Sequence, residues 1–285
     1  MEIKLGVIGG SGLYRMEGLK NVRNVKISTP FGEPSDEYIT GELEGRGVVF
    51  LPRHGRGHTI KPSDINFRAN IYGFKKLGVE RIISMSAVGS MKEEIAPGTM
   101  VLVDQFFDNT KKRISTFFGE GAVVHIGFAL PTCPQLADAI YRTAKKAGIA
   151  MRRGGTYLCM EGPQFSTRGE SDIYRKWGVD VIGMTNMPEA KLAREAEICY
   201  STVALVTDYD CWREAEESVT VDMIIKRLNS MNAAAQSVIR NVVSLPGEKR
   251  TCSCAKALEN AFITPKELIP EKVKKDLDII IGKYL

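Results

Sequence analysis

The sequence holds no apolar run approaching the roughly 20 residues needed to span a bilayer, so no membrane segment is expected. Its opening, Met-Glu-Ile-Lys-Leu-Gly-Val-Ile, passes quickly into a glycine turn and lacks the apolar stretch of a secretory leader. Charge of one sign is not concentrated anywhere. The 39 basic and 34 acidic residues are interspersed and leave a net charge of +5, without the stripe that tracks a nucleic-acid backbone. Neither nucleic acid nor membrane is therefore expected as a partner, whereas a small anionic ligand suits this balance. Six cysteines, at 133, 159, 199, 211, 252 and 254, are too sparse for a secreted disulfide scaffold and include no two CxxC pairs for structural zinc. They point to a cytoplasmic setting in which thiols stay reduced. There is also no internal repeat or low-complexity tract. What remains is an ordinary globular composition, 44% hydrophobic and 26% charged, in 285 residues, enough to bury a large core.

Short apolar runs at Ile3–Ile8, Val48–Leu51, Arg81–Met85, Met100–Val103, Thr156–Cys159, Val179–Ile182 and Tyr200–Val206 predict strands. Helical patterns lie between them: Leu136, Ile140, Ala144 and Ala147 on one face, and Val221, Ile224, Ile225 and Leu228 on another. A further helix is signalled by Pro62-Ser63-Asp64 before the Ile65, Ala69, Tyr72 stripe and Gly78 after it. This alternation predicts an α/β fold, a single domain with a central mixed β-sheet flanked by helices. The composition changes at Pro246, where Pro-Gly-Glu-Lys-Arg leads to Thr-Cys-Ser-Cys and a Lys-rich end. Residues 246–285 read as a C-terminal appendage carrying a CxC motif, beyond a main domain of residues 1–245.

Several segments carry candidate chemistry. Gly9-Gly10-Ser11-Gly12 follows a strand and can turn peptide N–H groups and a hydroxyl toward an anion. A dinucleotide loop would need GxGxxG, but the third glycine position from Gly10 is Arg15. Such a turn also serves purely structural roles. Arg53-His54-Gly55-Arg56-Gly57-His58 gathers two of the three histidines and two arginines past a strand. The guanidinium fork matches phosphate oxygens, though a solvated loop bearing surface cations has the same composition. Ser86-Ala87-Val88-Gly89-Ser90 ends a strand in small residues able to line a pocket. Phe165 follows Gly162-Pro163-Gln164 and can stack on a purine or simply pack. Val206-Thr207-Asp208-Tyr209-Asp210 ends an apolar strand in two carboxylates, which share one side if the backbone stays extended. One protonated and one ionised carboxyl match the N7 acceptor and N6 donor of adenine. A metal site or an acidic turn fits the same pair.

Taken in order, VIGGSGL, TPFGEPSD, PRHGRGHTI, SAVGS, QFFDNT, EGPQFSTR, GMTNMPE and VTDYDCW resemble the methylthioadenosine phosphorylase branch of the trimeric purine nucleoside phosphorylase family, over roughly residues 3–243. The resemblance implies a nucleoside-phosphorylase fold and phosphorolysis of 5'-methylthioadenosine to adenine and 5-methylthioribose 1-phosphate. It implies that Ser11, Arg53, His54 and Ser86 hold phosphate with help from Ala87 and Thr185. Phe165 and Met184 would contact base and sugar, while Asp208 and Asp210 would read adenine, and Asp208, His54 and Ser86 would carry catalysis. Ser166, Val221 and Ile224 would shape the end receiving the 5' substituent, and His125 would reach a neighbouring subunit's site in a homotrimer or dimer of trimers. Inorganic phosphate is then a co-substrate, and neither a metal nor an organic cofactor is expected. Thermostable members share a CxC near the end, which implies a redox-active Cys252–Cys254 pair and a Cys133–Cys199 bridge. A bond closing over one residue would be strained and reducible.

Two other functions stay open on the sequence. A phosphorylase for 6-oxopurine nucleosides or methylthioinosine would place O6 against a carboxylate, which Asp208 and Asp210 disfavour. A non-catalytic nucleoside-binding protein would retain the pocket without phosphate-dependent release of base.

Overall fold

The computed structural model describes residues 3–10, 12, 13, 15–213, 220–245 and 249–285. Among the described residues eleven strands form one mixed sheet: β1 (Ile3–Gly9), β2 (Lys20–Val25), β3 (Tyr38–Leu43), β4 (Arg46–Pro52), β5 (Arg81–Ser90), β6 (Met100–Val103), β7 (Gln105–Asn109), β8 (Met151–Arg153), β9 (Thr156–Met160), β10 (Val181–Gly183) and β11 (Cys199–Asp208). The hub is β5. It pairs in parallel with β1 on one side and β11 on the other, and its last residues pair antiparallel with β10. From there one branch runs β10-β9-β7 and another β11-β6-β8, while β1 leads to β4, β3 and β2. All ten residues of β11 and all four of β6 are buried, as continuous apolar runs in a doubly covered sheet require.

The helices are α1 (Phe67–Lys76), α2 (Pro134–Lys146), α3 (Arg168–Lys176), α4 (Asn186–Glu195), α5 (Val221–Val243), α6 (Glu271–Asp276) and α7 (Asp278–Ile281). Local chemistry sets their starts. Asn66 accepts from the Ala69 amide at the head of α1, Thr220 from Met223 at the head of α5, and Thr167 with Glu170 forms a reciprocal cap on α3. Proline opens the predicted helix at Pro62 only as a short 3₁₀ turn, and α1 begins after it. Two large apolar clusters flank the sheet, and a smaller third gathers Met91, Leu158, Tyr174, Val179 and Ile182. Of the large two, one involves α1 and α4, the other α2 and α5.

Residues beyond 249 share these cores. Leu258, Ala261, Ile269, Val273, Leu277, Ile280 and Ile281 are buried with residues of β1, β4 and β5. Buried Glu197 anchors the tail, accepting from the Leu258 amide at 3.1 Å and from the Tyr284 hydroxyl at 2.5 Å. The two expected disulfides are not formed: all six cysteines are free. Instead the sulfurs of Cys133, Cys199, Cys252 and Cys254 gather within 4.8 Å of one another.

Candidate active site

The expected residues fall on several elements whose ends converge. Arg53 follows β4, Ser86 and Ala87 lie in β5, Thr185 joins β10 to α4, and Asp208 closes β11. In an open α/β sheet, the region beyond the carboxyl ends of parallel strands is where ligands bind. The Gly9 carbonyl accepts from the Arg53 amide at 3.2 Å, which brings the glycine turn beside Arg53. Ser11 lies outside the described residues. A cavity of about 870 Å³ opens elsewhere, lined by Lys4, Arg46, Glu80, Arg81 and Gln135 among others, and none of the expected residues borders it.

Arg53 is 3% exposed and held from four directions. Its Nε and Nη2 donate to the two oxygens of Glu189 at 2.7 and 2.9 Å, Nη2 also to Ser84 Oγ at 2.6 Å, and Nη1 to the Met85 carbonyl at 3.0 Å. Burial works against its charge, but the Glu189 carboxylate outweighs it and raises the pKa further. A guanidinium has five N–H groups, so one on Nη1 is left without a partner among the described residues. Glu189 is itself buried and accepts from Ser84 Oγ and the Tyr200 hydroxyl, both at 2.8 Å.

Ser86 Oγ lies 3.0 Å from Thr185 Oγ1 and 3.1 Å from the Tyr157 hydroxyl, which also receives the Thr185 amide at 3.4 Å. Thr185 is the N-cap of α4, yet its hydroxyl makes no capping bond and faces Ser86 instead. Gly183 makes this possible, since a Cβ there would collide with the Tyr157 hydroxyl. His54 Nδ1 lies 2.8 Å from the Ile60 carbonyl oxygen. Only a protonated Nδ1 can use that acceptor, which leaves Nε2 as an acceptor in the neutral ring. Burial outweighs that bond and pushes His54 down to about 4.

At the end of β11, Asp208 Oδ1 accepts from the Asp210 amide at 2.8 Å. Gly89 leaves room for it, because a Cβ there would lie 2.9 Å from that oxygen. Thr207 Oγ1 sits 2.6 Å from Asp208 Oδ2 and 3.2 Å from the Val88 carbonyl oxygen. One hydroxyl has one proton. Thr207 therefore donates to one of these two acceptors at a time, the Asp208 carboxyl being the nearer. Asp210 accepts from Ser171 Oγ at 2.5 Å, and burial raises its pKa despite hydrogen bonds from Ser171 and Cys211. Cys211 Sγ reaches the Ser166 carbonyl at 3.3 Å, which ties the Phe165-Ser166 segment to the aspartates. Phe165 presents an exposed ring, and Ser166 is buried.

Met184 packs over Gly162. Its position is fixed by a residue that sequence reasoning did not single out. The Arg113 side chain is 1% exposed and donates to the carbonyls of Glu161, Met184 and Met187 at 2.8, 2.7 and 2.6 Å. Burial favours a neutral Glu161, but hydrogen bonds from Ser63, from the Lys111 and Lys112 amides and from Arg113 outweigh it and hold the carboxyl at about 2. Val221 and Ile224 open α5, the first exposed and the second half-buried. That helix touches the glycine turn through Gln236 Nε2 and the Gly12 carbonyl at 2.7 Å. His125 stands apart: it is exposed, and its amide donates to Ala261 of the tail at 2.8 Å.

A sequence model of the phosphorylase superfamily matches residues 4–244. The chain belongs to that superfamily. Within it, this phosphorylase falls in the methylthioadenosine phosphorylase branch. It is 59% identical to the S-methyl-5'-thioadenosine phosphorylase of Geobacter sulfurreducens over the full length of both chains. A methylthioadenosine phosphorylase from an Antarctic soil metagenomic library superposes with a TM-score of 0.94 at 50% identity, covering 98% of this chain and 99% of the other. The Schistosoma mansoni methylthioadenosine phosphorylase in complex with adenine superposes with a TM-score of 0.84 at 32% identity, covering 98% of each.

Proposed function

We propose that this phosphorylase cleaves the N-glycosidic bond of 5'-methylthioadenosine with inorganic phosphate, releasing adenine and 5-methylthioribose 1-phosphate with inversion at the anomeric carbon. The observation that carries the proposal is the convergence of a buried anion-binding group, Arg53 with Ser86 and Thr185, and a carboxyl pair, Asp208 and Asp210, at one end of the sheet. Phosphate would accept from the remaining Arg53 Nη1–H, the Ser86 and Thr185 hydroxyls and the glycine-turn amides, with Ala87 assisting and with Ser11 as a further donor on the strength of the family resemblance alone. Neutral His54 would accept from a phosphate O–H through Nε2. A phosphate oxygen attacks C1' as the bond to N9 breaks and its electron pair leaves with the base. Asp208 donates its proton toward N7, general-acid help that is typically worth ~10²–10⁴-fold. Asp210, ionised, accepts from the N6 amino group. Phe165 and Met184 would flank base and sugar, and Ser166, Val221 and Ile224 the 5' substituent. The reaction draws on no metal or organic cofactor.

The working form is a homotrimer or a dimer of trimers, in which His125 completes a neighbouring copy's site. Near His125 in sequence, Ile114, Val123 and Leu130 are exposed apolar residues, which would suit a partner face where they form one patch. No described helix is long and apolar enough to cross a membrane, which fits a cytoplasmic enzyme. Assay of methylthioadenosine, adenosine and inosine with and without phosphate tests the reading. Phosphate-dependent release of adenine is expected. Binding without release would make the chain a nucleoside-binding protein, and preferential release of hypoxanthine would make it a 6-oxopurine phosphorylase.

A further inference from the structure

Far from the proposed catalytic site, the two ends of β11 differ in kind. Asp208 is at one, Cys199 at the other, about 30 Å away at roughly 3.3 Å per residue. Cys199 meets three further thiols from separate parts of the chain. Cys133 is the N-cap of α2, its sulfur accepting from the Leu136 amide at 3.5 Å, and Cys252 and Cys254 lead into and lie within the 3₁₀ turn Ser253–Lys256 of the tail. Cys199 Sγ and Cys252 Sγ are 3.4 Å apart, and all four sulfurs lie within 4.8 Å of one another. Three of the four residues are buried.

These distances discriminate between chemistries. A disulfide needs sulfurs at about 2.05 Å, and no pair is bonded. Four thiolates around one ion at Zn–S distances of about 2.3 Å form a tetrahedron with edges of about 3.8 Å, inside the range the cluster spans. We propose that Cys133, Cys199, Cys252 and Cys254 form a closed structural site for one thiophilic divalent cation, with zinc the preferred ion. All four positions are filled by protein, so the ion has no place for a substrate and takes no part in phosphorolysis. Binding exchanges four thiol protons for one Zn²⁺ and leaves a net charge of −2, offset in part by the Leu136 amide at Cys133. The ion would join the tail to the start of β11 and the head of α2. Zinc was not expected from the sequence because the ligands are 66, 53 and 2 positions apart rather than in two CxxC pairs.

The full-length chain, purified without chelator from zinc-supplemented medium, should carry about one equivalent of zinc per chain by elemental analysis. Refilled with cobalt, it should show the visible absorption of tetrahedral tetrathiolate Co²⁺. Cys252→Ser and Cys254→Ser should each become sub-stoichiometric in metal, whereas Cys211→Ser should keep the full complement. A reduced wild-type chain that takes up neither ion overturns the site. So does uptake undiminished in the Cys252 and Cys254 variants, or mass spectrometry finding disulfides among these four thiols in the zinc-replete protein. The wild-type measurements decide the matter even if a variant fails to fold.

Discussion

At the scale of single residues, the candidate phosphate site depends on a carboxylate whose two oxygens both accept from Arg53. Glu189 uses both oxygens on Arg53, so Glu189→Gln leaves a buried guanidinium without its counter-charge. Breaking such a pair costs about 3–5 kcal/mol, part of it in stability. The expected result is a lower Tm and a phosphate KM raised at least about tenfold, with nucleoside KM changed less than about threefold. Equal changes in both constants would refute a positioning role for Glu189. The carboxyl pair gives a second prediction. Leaving O6 of methylthioinosine against ionised Asp210 costs about 1–3 kcal/mol, roughly one to two orders of magnitude in kcat/KM. Asp210→Asn should narrow that preference by weakening methylthioadenosine cleavage, and Asp208→Asn should slow both substrates. The pH dependence follows with a definite sign. Asp210 serves as acceptor only when ionised, and burial raises its pKa, so activity should fail on acidification above the ordinary aspartate range of about 4. His54, pushed down to about 4, should add no inflection near the usual imidazole value of about 6.5. Initial rates across pH, with Asp210→Asn as the control lacking the raised limb, check both statements.

At the scale of elements, what the sequence reveals tracks how local the cause is. Strands buried on both faces, such as β6 and β11, announce themselves as apolar runs, and α2 and α5 as amphipathic stripes. Solvent-facing β2, the Thr- and Gly-bearing β3 and the three-residue β8 carry no comparable pattern, because their partners are set by tertiary pairing. The same holds within the site. Asp208 and Asp210 stand out at a strand's end, but Glu189 reads as an ordinary helix-surface acid and Arg113 as the last member of a solvated Lys-Lys-Arg run. Only the fold buries them. The tail shows the limit most clearly: a Lys-rich end suggests an appendage, yet its apolar side chains lie in the core. Burying each of Ile269, Val273, Leu277, Ile280 and Ile281 contributes about 1.5–3 kcal/mol, and their sum rivals a domain's whole stability of about 5–15 kcal/mol. Deleting residues 259–285 should therefore give a chain that does not fold, and Leu277→Ala should lose about 2–5 kcal/mol. Denaturant titration measures the latter. A truncated chain with native circular dichroism and unchanged Tm would refute it.

At the scale of the whole molecule, the proposed oligomer gives the exposed His125 side chain a neighbouring copy's site to complete. Leu130→Glu, on the exposed apolar segment near His125, should shift the particle toward monomers in sedimentation and lower activity in step. A variant fully active as a monomer would remove both the assembly and the role of His125. The burial of β11 along its entire length has a different kind of consequence, one for how the enzyme can change. Alternate residues of a strand face opposite ways, so inserting or deleting one residue upstream would move Asp208 to the other face and bring a neighbour into its place. Where the tip keeps its place instead, the same change within the strand pulls Cys199 out of step with the other thiols. The proposed preference for a 6-amino over a 6-oxo purine is thus open to revision one side chain at a time at the strand's tip, but closed to changes in length along it.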